Sequence, residues 1–80
     1  MKNIGAEMNR KLNAVGINSA EELRRIGSKE AFFRLKAVYP NVCLVHLYSL
    51  QGAIDNVDFH LLPPETKKAL EEFAHSFAQK

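Results

Sequence analysis

Eighty residues suffice for one small domain, in which folding buries only about 60% of the surface that the unfolded chain exposes, so an unassisted fold needs an efficient core. A hydrophobic content of 46%, with charges of both signs, excludes a disordered tail, and the single Cys43 excludes an intramolecular disulfide and suits a reducing cytoplasm. The net charge of +2 divides into eight cations against four anions over residues 1–36 and three against five over 37–80, so the basic half can face phosphates or pair with the acidic half of another subunit.

The start, MKNIGAEMNRKL, has no apolar signal core, and the charge-free apolar stretch from Val42 to Ile54 is shorter than the roughly 20 residues that a bilayer requires. A soluble, cytoplasmic protein is expected. No repeat, low-complexity run or linker interrupts the chain, which reads as a single domain over residues 1–80.

Met8, Leu12 and Val15 recur at i, i+4 and i+7 with polar residues between them, which predicts an amphipathic helix from Ala6 to Val15. Gly16 suits a left-handed Schellman cap, after which Ile17 packs back on Leu12. Ser19 with Glu22 forms a capping box for a short helix over residues 20–26, and Gly27 stops it. Ser28 is the expected N-cap of a third helix reaching Tyr39, with Ala31, Phe32, Leu35, Val38 and Tyr39 inward. Phe33 falls on the opposite side, among Lys29, Lys36 and Ala37, and is the candidate protein-interface residue.

Asn41 is the expected cap of a fourth helix over residues 42–54, VCLVHLYSLQGAI, whose apolar residues lie on nearly every side of the wheel. That pattern predicts a central helix buried all round, with Cys43 used as a small hydrophobe and Gly52 set close against another backbone. Asp55, Asn56 and Asp58 mark a turn that Phe59, Leu61 and Leu62 pin to the core. Pro63 and Pro64 suit the entry of a last helix with Thr66, Leu70, Phe73 and Phe77 inward, fraying at Gln79 and Lys80. The expected fold is therefore all-α, a compact bundle of about five short helices around residues 42–54.

Chemistry has little foothold in this pattern. Cys43 and His46, at i and i+3, can touch as a thiol and a base would, yet no acid is placed to orient the imidazole. Those two with His60 and His75 match no compact zinc spacing, and no paired carboxylate, P-loop or dinucleotide fingerprint is present. No enzyme, metal, cofactor or small-molecule substrate is expected. The segment Asn3-Ile4-Gly5 opening into a helix is more informative, because a Gly there lets a backbone approach closely and first-turn amides attract phosphate. The candidate nucleic-acid contacts are Lys2, Asn3, Ile4, Gly5, Ala6, Arg10, Lys11, Arg24 and Arg25. The stretch resembles the second half of a helix-hairpin-helix unit, whose amides hold a nucleic-acid backbone without reading sequence, although one of the usual paired glycines is Asn3 and the unit's first helix has no room before Met1. Glu7 in the first turn would oppose a phosphate there.

Asn3-Ile4-Gly5, Val15-Gly16-Ile17, Glu22-Leu23-Arg24, Ile26-Gly27, Leu47-Tyr48-Ser49-Leu50-Gln51-Gly52-Ala53 and Leu62-Pro63, in this order, resemble the C-terminal domain of the TfoX/Sxy family of bacterial competence regulators. Phe59 stands where that family often has Trp, and Ala6 where it often has Pro. The resemblance implies a small helical domain from regulators that promote DNA uptake by helping a transcription activator, with DNA or a transcription-regulatory protein as partner. Such regulators usually carry another domain ahead of this one. A chain opening at the motif is therefore expected to be an accessory subunit or a protein-binding module, with self-association through Phe33 as the alternative to DNA contact.

Overall fold

Glycine, serine and proline divide the apolar runs into short helices, and the computed structural model, which describes residues 4–78 and side chains to residue 76, shows where each division falls. The helices are α1 (Ala6–Ala14), α2 (Ala20–Ile26), α3 (Ser28–Val38), α4 (Leu44–Asp55) and α5 (Pro64–Ala78), with a 3₁₀ turn at Phe59–Leu61 before α5. No strand occurs among the described residues. The fold is all-α, and α4 lies at its centre, packed by α2, α3, α5 and the 3₁₀ turn, while α1 packs on α3.

The α1–α2 turn closes by the predicted chemistry. Gly16 takes φ 86°, the Ile17 amide donates to the Leu12 carbonyl at 2.9 Å and the Gly16 amide to that of Asn13 at 3.1 Å, which is the paired Schellman pattern. Leu12 and Ile17 are then both buried. At the start of α2 the Glu22 amide donates to Ser19 Oγ at 3.1 Å, but the Glu22 carboxylate accepts the Asn18 amide at 3.2 Å and not that of Ser19. The box thus closes one residue early.

Two helix starts differ from expectation. Gly27, not Ser28, caps α3, because Ser28 is buried and its hydroxyl donates to Gln51 Oε1 on α4 at 2.6 Å, leaving it no role as a cap. The central helix begins at Leu44 with Cys43 as its cap, displacing Asn41 from that position. Val42 is buried in the connection ahead of the helix, held there as Lys36 Nζ donates to the carbonyls of Pro40 at 2.9 Å and Val42 at 2.8 Å.

The core comprises Met8, Leu12, Ile17, Leu23, Ala31, Phe32, Leu35, Val42, Leu47, Leu50, Ala53, Leu62 and Leu70. Four apolar residues assigned inward lie outside it. Cys43 is exposed, so it is not a core hydrophobe, and α4 is not buried all round, since Val45 on its outer side is 52% exposed. Val38 is exposed at the last position of α3, while Tyr39 just past it turns back on the core. Leu61 is exposed too, because in the 3₁₀ turn Phe59 and the following Leu62 take the inward positions. Gly52 is buried, and its carbonyl accepts the Val57 amide at 3.0 Å, tying the loop back onto α4. Of the inward face assigned to α5, Leu70 is buried and Phe73 packs on the core, while the Phe77 side chain, Gln79 and Lys80 fall outside the described residues.

Candidate functional site

Gly5 is the N-cap of α1, with φ −81° and ψ 177°, and Asn9 makes the first helical bond to its carbonyl at 2.9 Å. Having no side chain, Gly5 leaves the amides of Ala6, Glu7 and Met8 uncapped from its own position, and a Cβ built there would meet nothing within 4 Å. Ile4 anchors the approach by packing on the core, while Gly5 and Ala6 are exposed. Lys2 and Asn3, the other candidates of this segment, lie outside the described residues.

Each of the cations assigned to the same surface has a contact of its own. Arg10 pairs with Glu7 at 2.8 Å and Arg25 stands 3.9 Å from Glu22, both pairs one turn apart on their own helices. Lys11 Nζ sits 5.2 Å above the Tyr39 ring, and its charge reaches His46 at the start of α4. Arg24 Nε donates to the Ile54 carbonyl near the other end of α4, at 3.4 Å. Exposed ion pairs of the Arg10–Glu7 kind contribute only about 0–1 kcal/mol, so Arg10 remains able to exchange Glu7 for a phosphate.

Cys43 and His46 do meet. The His46 Nδ1 accepts the Cys43 amide at 3.0 Å, which fixes that nitrogen as unprotonated, and Cys43 Sγ lies 3.4 Å from it. Partial burial, with the Lys11 charge added, lowers the pKa of His46 below its ordinary 6.5. Among the described residues no carboxylate bonds the ring, and no three His, Cys, Asp or Glu side chains are grouped to hold a metal. The pair is a helix start in which an imidazole replaces the usual carboxylate cap. It has a pH consequence. Below pH 6.5 the unfolded chain takes up a proton that the folded ring resists, so stability should fall as pH drops from 6.5 towards the lowered value. Denaturant midpoints of wild type and His46→Gln across that range check this, the variant being expected to lose part of the slope. In Lys11→Met the His46 titration, followed by NMR, should move upward.

A feature with no signal in the local sequence pattern is a groove of about 640 Å³ between α5 and the α3–α4 connection. Phe32, Leu44 and Ala74 line it together with Lys36 on one side and Glu71 and Glu72 on the other. Cys43 also lines it. Tyr48 ties α4 to α5 by donating to Glu71 Oε1 at 2.9 Å; burial first, and then this carboxylate, raises its hydroxyl pKa above 10.0. Phe33 is 52% exposed, as its position on the wheel predicts.

The sequence profile of the TfoX C-terminal domain matches residues 1–74. The chain belongs to that family. Among solved structures this TfoX C-terminal domain is similar to an uncharacterized protein from Listeria monocytogenes in a triclinic crystal form, with 36% identity and a TM-score of 0.96, over 98% of this chain and 89% of that one. It is also similar to a Listeria monocytogenes protein of unknown function in a tetragonal form, with 37% identity and a TM-score of 0.92, over 94% of this chain and 92% of that one. No curated protein matches the chain. None of the helices among the described residues is long and apolar enough to cross a membrane.

Proposed function

We propose that this TfoX C-terminal domain is a non-enzymatic regulatory module that touches a nucleic-acid backbone through the start of α1. Membership of a family of regulatory, competence-related domains supports the regulatory part. The observation that carries the contact is the open, side-chain-free cap at Gly5, where uncapped amides and the positive helix end face solvent with Arg10 one turn away. Binding of this kind positions a partner on the backbone and does not read its bases.

Titration of a labelled duplex at several salt concentrations tests the reading. Affinity should fall as salt rises, with a slope in log K of about 0.9 per phosphate contact, and Arg10→Ala should lower that slope by about one contact. Gly5→Ala separates contact from folding, because its backbone angles suit any residue and a Cβ there meets no neighbour. It should weaken duplex binding at unchanged stability. No binding at low salt overturns the nucleic-acid reading.

The second reading, a protein-binding module without DNA contact, is favoured by the groove beside α5 and by the exposed Phe33. In that case the Gly5 and Arg10 variants leave the domain's regulatory activity unchanged in the cell.

A further inference from the structure

The α1 start is not the only surface with a directed chemistry. α3 and α5 both pack on α4, and the groove lies where their flanks stand apart, with Phe32, Leu44 and Ala74 among its apolar lining. Its two lips carry opposite charge. On the α3 side Lys36 lines the groove, its Nζ held by the Pro40 and Val42 carbonyls, and Lys29 stands beyond the lining with its Nζ 5.7 Å from the centre of the Phe73 ring. On the α5 side stand the exposed Glu71 and Glu72, with His75 beside them. Phe33 is placed four residues after Lys29 and three before Lys36, and so shares the basic lip with them, 52% exposed.

We infer that this groove is the interface of a symmetric dimer, its occupant the same face of a second copy of this chain, with Phe33 of each copy reaching towards the partner's groove. Symmetry and charge carry the argument. A two-fold axis running along the groove exchanges its two sides while keeping height, so the basic lip of each copy meets the acidic lip of the other, twice over, and like charges never face each other. An axis across the groove would set lysines against lysines. Because Lys29 lies at the level of Phe73, its opposite number under the first axis is Glu72, the neighbour of Phe73 on the acidic side. The domain measures only 28 × 27 × 20 Å, so the shared face is at the small end for a stable interface, and the dimer is reversible and sensitive to salt. None of the α1 surface assigned to nucleic acid is used, so the two readings stand or fall separately.

Sedimentation of the whole chain tests the inference, with concentration raised to about millimolar. The wild type is expected to pass from monomer to dimer, and Phe33→Ser to remain monomeric. The decisive set is a charge exchange: Lys29→Glu and Glu72→Lys, each alone, should raise the dissociation constant about tenfold or more, and the double variant should recover dimerisation. Circular dichroism melts of each variant establish that the fold is kept. A wild type monomeric throughout, or a dimer indifferent to both single exchanges, overturns the proposal.

Discussion

Leu47→Ala is expected to destabilise the domain by about 3–5 kcal/mol, the upper part of the range for deleting a buried leucine side chain. Leu47 has 0% exposure one turn into α4, and α4 is the element on which α2, α3, α5 and the 3₁₀ turn all pack. A cavity there is walled by several helices at once, so no single one can move in and fill it without opening a gap elsewhere, and the cost of the void stays largely unrelieved. Against a typical stability of about 5–15 kcal/mol, such a loss would leave an 80-residue chain near its unfolding limit. Val45→Ala supplies the contrast: it lies two residues away on the same helix, 52% exposed, and should shift stability by no more than about 0.5 kcal/mol. Urea unfolding of both variants checks the pair. A Leu47→Ala loss below about 1 kcal/mol would mean that the core is not organised around α4.

Why α4 was visible in the sequence, and its first residue was not, follows from what apolarity reports. A charge-free run says that its surroundings are dry, and Leu47, Leu50, Gly52 and Ala53 are indeed buried. It does not say where the helix starts, because Val42 can be equally buried in a loop and the helix can open on the exposed Cys43, with His46 supplying the side-chain acceptor. Local capping chemistry was legible where one residue type has one backbone use, as at Gly16 with Ile17 folding back on Leu12. It failed at Ser28, whose hydroxyl was claimed by Gln51 from 23 positions away.

The same distinction governs the candidate site. Periodicity placed Phe33 outside correctly, since its position depends only on its own helix, whereas the fate of each cation depended on what packed beside it. Arg24 is committed to a carbonyl 30 positions along the chain, and Lys36 to the connection that holds Val42. The family-like run from Leu47 to Ala53 also acquires a physical explanation from such distant partners. Tyr48 bonds α5, Gln51 receives the hydroxyl of α3, and Gly52 receives the loop that follows α4. These residues join the helices that border the groove, so the run is scaffold, and the groove itself arises from how far α3 and α5 are held apart.

The second large effect belongs to Gly27, where a substitution adds strain without removing any contact. Its backbone takes φ 89° and ψ 159°, a region essentially confined to glycine, where a side chain costs about 1–3 kcal/mol. Gly27 also serves two helices at once: its amide donates to Leu23 at 2.8 Å to close α2, and its carbonyl accepts Ala31 at 3.1 Å to open α3. Relaxing the angle would therefore misdirect one helix relative to the other, and the Ser28–Gln51 bond at 2.6 Å is placed to feel the change. Gly27→Ala should lower stability by about 1–3 kcal/mol, although a Cβ there would meet nothing within 4 Å. That open space separates backbone strain from crowding. A chemically synthesised chain with D-alanine at position 27, for which this φ is ordinary, should recover stability to at least the wild-type level, since it restricts the unfolded chain as well. Gly5→Ala provides the internal control: with φ −81° and equally open space it carries no backbone strain, and it should change stability by no more than about 0.5 kcal/mol, the difference between Gly and Ala as a cap. If L-alanine at position 27 behaved like L-alanine at position 5, the turn between α2 and α3 would have to be free to adopt another conformation at no cost.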